Sequence, residues 1–289
     1  MGDVGMKPVI FLVTALTDVK QDGFSVKLRA LLEQQVPVQI LFADLNFLER
    51  ATFDQLLATL AVTNPALVTV TDLFDIFAND QGSPLSEQTR MRVDHTNLTV
   101  RRHTSATETV VRYLHDDQLL EEQYFTADQQ LSYQNFYQDN LLTQVVFWGK
   151  RQRPVTISNF QAEALKETLL LNAQGDLVYR FMREEQPVQK IFNGKDAATL
   201  QVADSAAPQS EALPSKKSRE PAGTLTVRNE QATIFKVMDY VDATDFNGIY
   251  DFYRYALKRL GATDARLYVS VSQNVEMSAV LPNQLIFNY

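Results

Sequence analysis

The chain has 289 residues, no cysteine, three histidines and a formal charge of −8, with a pI near 5.0. Without cysteine there are no disulfides, thiolate metal sites or cysteine nucleophiles, and His95, His103 and His115 are too few for a His-rich metal centre. The acidic balance argues against a phosphate-backbone binder, so no nucleic-acid partner is expected; 45% hydrophobic and 10% aromatic residues suffice to build a real core.

The first hundred residues alternate strand-like and helix-like signals. Pro8 to Val13 reads as a buried strand, because it is continuous, apolar and rich in β-branched residues. It is too short to span a membrane, and the first six residues lack the basic start of a signal peptide. A cytoplasmic protein is expected, with Met6 a candidate natural start and any membrane contact made only through a complex. Phe24, Leu28, Leu31 and Leu32 recur at helical spacing. Val36 to Phe42 is a second strand, with Pro37 near its start, where a missing N–H is tolerated. Phe53, Leu56, Leu57 and Leu60 mark another helix, Ala66 to Val70 a third strand, and Asp72 to Phe77 a short helix. Such alternation implies a parallel sheet with helices on its faces.

The pattern changes at Thr99, beyond which strands and polar turns alternate and only Ala162 to Lys166 hints at a helix. Tyr113, Phe125 and Tyr137 lie twelve residues apart, as do Tyr124, Phe136 and Trp148. Turn-prone clusters separate them, at residues 115–118, 126–129, 138–140 and 172–175. This spacing suits an antiparallel meander whose strands present aromatics to one face. The default is that the rings are core; the sharper alternative is an exposed face for sugar stacking. Glu121 and Glu122 sit in one such strand, where one of the two must point outward. Residues 203–223 are rich in Ala, Ser and Pro, with Lys216, Lys217 and Arg219 clustered, and read as a mobile loop. Phe246, Ile249, Tyr250, Tyr253, Leu257 and Leu260 then mark an amphipathic helix, with Thr244 as N-cap and Gly261 as its stop. A strand (Ala265 to Val271), a short helix (Val275 to Val280) and a last strand (Gln284 to Phe287) follow. The expected fold is α/β: a Rossmann-like parallel sheet (1–98 and 233–289) interrupted by an inserted antiparallel β-meander (99–193) and a linker (194–232).

The loop from Thr14 to Ser25 is the leading ligand-site candidate. It follows the first strand at its carboxyl end and enters a helix, where open α/β sheets bind ligands. Within it Asp22, Gly23, Phe24 and Ser25 are the candidate binding residues; Gly23 permits close backbone approach and Ser25 can donate a hydrogen bond. The simpler reading is an ordinary strand–helix turn. There is no Asp-x-Asp pair, dinucleotide fingerprint or P-loop. Asp116 and Asp117 read as a solvated hairpin tip, and His95 and His103 as surface residues. No catalytic residue, metal or cofactor is expected.

The order of parts resembles the N-terminal region of retaining, two-Rossmann-domain (GT-B) glycosyltransferases of Gram-positive bacteria, such as the poly(glycerol-phosphate) α-glucosyltransferases. The carrying segments are the opening strand with Gln21 to Ser25, Val38 to Phe42, Thr71 to Phe77 before the insertion, and repeats like Tyr124 to Leu131. A related arrangement occurs in two non-catalytic relatives, the stabilising partner of adhesin glycosyltransferases and the glycosyltransferase-like first protein of the accessory Sec export system, and Arg266 to Val271 with Leu281 to Tyr289 are similar to the latter. The chain departs from the family in two ways. Its first loop has only Gly23 after Asp22 instead of paired glycines, and a second Rossmann domain, which holds the nucleotide-sugar in active members, is not expected within these residues. No two glutamates stand eight positions apart as the donor-binding pair does. The resemblance implies an acceptor-recognition half or non-catalytic partner of a retaining hexosyltransferase, with a glycan, teichoic acid or serine-rich polypeptide as acceptor. Its partner would be a glycosyltransferase subunit or a C-terminal domain, contacted through Tyr124, Phe136 and Trp148. The alternative is a scaffold of accessory Sec adhesin export.

Overall fold

Five consecutive apolar residues form β1 (Val9–Val13), every one of them buried, as a strand covered on both faces requires. The computed structural model describes residues 7–60, 64–149, 152–183, 188–193, 200–204, 224–228, 235–239 and 246–289. After β1 come α1 (Leu16–Val19), α2 (Asp22–Glu33), β2 (Val38–Phe42), α3 (Arg50–Leu60), β3 (Val68–Asp72) and α4 (Leu73–Ile76). The chain returns to the same sheet through α5 (Ile249–Arg259), β16 (Arg266–Val269), α6 (Asn274–Val280) and β17 (Leu285–Asn288). The order β17-β16-β1-β2-β3 is parallel throughout. The sheet is extended to one side from β1 through β2 and β3 and to the other through β16 and β17, so the switch point lies at the carboxyl ends of β1 and β16.

One face of this sheet is sealed by aromatic packing. Phe11 stacks on Tyr268 with centroids 4.8 Å apart and meets Phe24 edge-on at 5.3 Å. Leu28, Leu31 and Leu32 of α2 complete the layer, on the spacing seen in the sequence. Helix α5 starts after Gly248, whose φ of +113° makes it the N-cap, a conformation open to glycine and costly for other residues. The expected cap, Thr244, lies outside the described residues.

The insertion is a nine-stranded sheet ordered β15-β11-β10-β9-β8-β7-β6-β5-β4. Its strands are β4 (Thr99–Thr104), β5 (Glu108–His115), β6 (Gln118–Thr126), β7 (Leu131–Gln138), β8 (Leu141–Trp148), β9 (Pro154–Gln161), β10 (Ala164–Leu171), β11 (Leu177–Arg183) and β15 (Phe235–Asp239). Strands β4 to β11 pair antiparallel in sequence order. An α/β domain with an antiparallel insertion is therefore the fold. The pairs Asp116–Asp117, Asp139–Asn140 and Ala162–Glu163 all take positive φ, which makes two-residue hairpin turns whose twist matches the strands. The helical hint at Ala162 to Lys166 is thus a hairpin tip entering β10. A second compact unit, Arg183–Lys236, contains β12 (Val188–Asn193), β13 (Leu200–Asp204) and β14 (Thr224–Arg228), ordered β13-β12-β14. Of the expected mobile loop, residues 205–223 lie outside the described residues.

Both faces of the insertion are covered along β8 to β11. On one face Phe147 meets Phe47 at 5.7 Å, Tyr179 meets Phe77 at 4.9 Å and Phe181 meets Phe252 at 4.9 Å. That face lies against the segments that follow β2 and α4, and against α5. The opposite face holds Phe136, Val146, Ile157, Leu169 and Leu171, over which Leu85, Met91 and Val93 of the connecting strap are packed. Strap and sheet are stitched together by Gln144, which accepts from Met91 N at 2.8 Å and donates to the carbonyl of Thr89 at 3.0 Å.

Candidate functional site

The carboxyl end of the parallel sheet gathers acidic and amide groups from three strands. The turn after β1 brings Thr14 and Asp18, the turn after β2 brings Asp44, Asn46 and Glu49, and the turn after β16 brings Gln273. The Asp18 carboxylate accepts from Thr14 N (3.2 Å), Thr14 Oγ1 (3.3 Å), Ala15 N (3.1 Å) and Gln273 Nε2 (3.1 Å). Burial pushes its pKa up, although those hydrogen bonds oppose the shift. The same enclosure, with Asp18 nearby, pushes the Tyr250 phenol up to about 12.

Asp44 is more strongly perturbed. Burial raises its pKa well above the usual carboxylate value, and the charge of neighbouring Glu49 raises it further, while the bond from Asn46 N opposes the shift. Asp44 Oδ1 accepts from Asn46 N at 2.8 Å, while Glu49 Oε2 accepts from Leu16 N at 3.1 Å. Two neighbouring carboxyl groups out of water cannot both ionise cheaply, which disfavours the charged form of Asp44. Among the described residues, no group of three or more His, Asp or Glu side chains is placed to hold a metal.

The expected binding residues open α2, where the structure divides them. Asp22 is exposed and Ser25 half-buried, with Ser25 Oγ donating to the Asp22 carbonyl at 3.0 Å. Phe24 is fully buried and touches Phe11 and Tyr289 edge-on, so its ring is core and not a ligand contact. Gly23 does permit close backbone approach, but to this chain: a Cβ there would stand 2.5 Å from the Tyr289 carbonyl carbon. Tyr289 is anchored by its hydroxyl, which donates to the Leu12 carbonyl at 2.7 Å.

The aromatic repeat is also divided. Phe136 is 2% exposed and belongs to the core under the strap, so it offers no partner surface. Tyr124 and Trp148 are half-buried and lie on opposite faces. Tyr124 stacks on Tyr133 at 4.1 Å, whereas Trp148 packs on the strap side with Phe136. A twelve-residue step does not keep one face because the pairing register shifts at Tyr113/Leu114, Tyr124/Phe125, Phe136/Tyr137 and Phe147/Trp148. The repeat marks a bulge in each hairpin.

Both acidic neighbours in β6 are buried, against the expectation that one would be solvated. Glu121, 1% exposed, is covered on the strap side by His95, whose Nε2 lies 2.8 Å away, and it accepts from Gln123 and Gln134. His95 also stacks on Tyr113 at 4.0 Å, which ties this half-exposed ring to the sheet. Glu122, 4% exposed, accepts from Arg112 Nε (2.7 Å), Tyr124 Oη (3.0 Å) and Tyr137 Oη (2.5 Å). Burial alone would raise its pKa, but bonds from Tyr137, Arg112 and Tyr124 hold it below the usual value. Consecutive strand residues face opposite ways, so two burials need two covers, and neither cover is legible from the Glu-Glu pair itself.

Among the described residues no helix is long and apolar enough to cross a membrane. No protein-family model matches the chain, and no curated protein does. Solved structures similar to it include TarM, at 12% identity and a TM-score of 0.49, covering 99% of this chain and 50% of that one. The Gap123 glycosylation-associated protein complex from Streptococcus agalactiae is similar at 9% identity and 0.48, covering 97% and 50%. A GtfA/B complex bound to UDP and GlcNAc is similar at 8% identity and 0.46, covering 97% and 48%. The chain spans about half the length of the solved chains it matches.

Proposed function

We propose that this chain is the acceptor-recognising half, or the non-catalytic partner, of a bacterial glycosyltransferase that acts on wall teichoic acid or a serine-rich adhesin. The observation that supports this most is the order of parts. A parallel sheet passes from β3 through the one-turn helix α4 into a long antiparallel insertion and returns at the switch point, the arrangement on which the sequence resemblance rests. The acidic groups at the sheet's carboxyl end support the non-catalytic role: Asp18 is committed to four donors, and Asp44 is buried and accepts from Asn46 N. Donor binding and sugar transfer then fall to a glycosyltransferase subunit or a C-terminal domain.

The test is reconstitution. The chain and a candidate partner glycosyltransferase are purified separately, and transfer of labelled sugar from a UDP-sugar to the acceptor is measured for each alone and for both together. The expected result is no turnover by this chain and at least a tenfold gain when the two are mixed. Turnover of UDP-sugar by this chain alone, lost on mutating its own residues, overturns the proposal. Stable association with accessory Sec export proteins and no effect on transfer would replace it with the scaffold role.

A further inference from the structure

Where β3 ends, a cleft of about 640 Å³ opens between the parallel-sheet part and the hairpins of the insertion. Its volume falls in the range of roughly 300–1,000 Å³ typical of small-molecule sites. One wall is the end of β3 with α4 and its exit: Asp72, Phe74, Asp75 and Asn79. The other wall is Ser132, Trp148, Gly149 and Arg153 of the insertion. The walls are tied together at the back. Ala173 N donates to the Ala78 carbonyl at 2.7 Å, Asn172 Nδ2 donates to the Asp80 carbonyl at 3.0 Å, and Ser83 and Leu177 exchange backbone bonds. The cleft is therefore pre-formed, which lowers the ordering cost of binding.

Its chemistry selects among ligands. Two guanidinium groups (Arg50, Arg153) face three carboxylates (Asp54, Asp72, Asp75), so the lining carries no excess positive charge for a phosphate. Arg50 is already engaged: its Nε donates to Asp72 at 2.8 Å, it pairs with Asp54, and it lies 5.4 Å over the rings of both Phe42 and Phe53. Arg153 donates to the Ala173 carbonyl at 3.0 Å. Toward the opening lie the Phe74 ring and the edge of the Trp148 indole, whose Nε1 donates to Gln134 at 2.9 Å and over whose ring the Arg90 guanidinium sits at 5.5 Å, beside exposed Asp75 and Asn79 and half-buried Ser132. A pyranose ring has the matching character, with apolar C–H faces for the rings and hydroxyl edges for the carboxylate, amide and hydroxyl.

We infer that this cleft is a binding site for a neutral oligosaccharide, with Trp148 as its aromatic wall and Asp75, Asn79 and Ser132 as its polar edge. The inference rests on the acceptor-recognition reading above and gives that recognition a place.

Trp148 is the only tryptophan of the chain, so its fluorescence reports on the cleft directly. The full chain is titrated with maltotriose, with chitotriose and, separately, with glycerol 3-phosphate and inorganic phosphate. The expected result is a saturable change in emission and reduced acrylamide quenching with at least one neutral trisaccharide, insensitive to added salt, and none with the phosphates. Asn79→Ala and Ser132→Ala are each expected to weaken binding about fivefold or more with an unchanged melting temperature. No saturable response to either trisaccharide overturns the inference, as does salt-sensitive binding of the phosphates alone. If both variants unfold, the acrylamide protection of the unmodified chain decides. Saccharide binding without any stimulation of transfer by the partner leaves the cleft standing and removes the acceptor-half function; stimulation indifferent to both variants does the reverse.

Discussion

Thr168, in the middle of β10, donates its hydroxyl to the carbonyl of Leu45 at 3.0 Å across 123 positions of sequence. Leu45 lies just beyond the carboxyl end of β2, in the crest where parallel sheets commonly receive ligands. Here the insertion lays its own face on that crest, with Phe147 against Phe47 beside the bond. The end of β2 is thereby taken by the protein itself. Open ground lies beyond the end of β3, at the cleft lined by Asp72, Phe74 and Trp148.

Thr168→Val keeps the shape of the side chain and removes the donor, leaving the Leu45 carbonyl buried against an apolar group. A loss of about 1–2 kcal/mol is expected by denaturant unfolding. Because Thr168 is fully buried, no gain from added solvation offsets it. An unchanged midpoint would mean that the two parts dock without this bond.

Gly23→Ala has an inverted expectation. Alanine inside a helix normally stabilises by up to about 1 kcal/mol relative to glycine. At this position the new methyl would meet the Tyr289 carbonyl carbon at 2.5 Å, so the sign reverses, and a loss of about 1–3 kcal/mol is expected from overpacking. A thermal melt checks the sign.

The parallel core was legible because its signals are local. The continuous apolar run of β1 and the spacing of Phe24, Leu28 and Leu32 each require a covered face, and the structure supplies it. The meander was legible from its turns, since Asp116–Asp117 and Asp139–Asn140 are residues that tolerate positive φ. The faces of the meander were not legible. A bulge shifts which way every later side chain points, and nothing in Tyr124, Phe136 or Trp148 marks where the register slips. The burial of Glu121 was hidden for another reason: its cover, His95, comes from a strap 26 residues away. The cleft was invisible too, since Asp75, Asn79, Ser132 and Trp148 share no motif and meet only through the docking of β10 and β11.

Glu122→Gln is expected to cost about 1–3 kcal/mol at neutral pH, because bonds from Arg112, Tyr124 and Tyr137 to a charged acceptor are weakened together. Its folded pKa lies below the unfolded value, so its stabilisation is present above the unfolded pKa and is lost as pH falls through the folded one. The stability gap between the two proteins should therefore narrow as the pH drops below about 4. Urea midpoints at pH 7 and pH 3 test this, and a gap that persists at pH 3 would assign the effect to shape and not to charge.

Asp44→Asn should act in the opposite sense. In the folded chain Asp44 is pushed well above the ordinary carboxylate range by burial and by Glu49, while in the unfolded chain it titrates near 3.9. Between those two values the unfolded chain releases a proton that the folded chain keeps. Folding is therefore most favoured by this group below the unfolded pKa, and that advantage is lost progressively as pH rises through the folded pKa. Asparagine reproduces the neutral form: its carbonyl can still accept from Asn46 N, and its amide can donate to Glu49. The variant is expected to be more stable than the parent at pH 7 by about 1–3 kcal/mol, at roughly 1.4 kcal/mol per unit of pKa difference. The two should converge near pH 3, where Asp44 is neutral in both states. Glu49→Gln in the same series separates the causes, because it removes the charge and leaves the burial; it should lower the Asp44 pKa without returning it to the unfolded value. Chemical denaturation from pH 3 to pH 8 measures all three proteins, and a parent that is the more stable at pH 7 would mean that Asp44 is ionised and held by its donors.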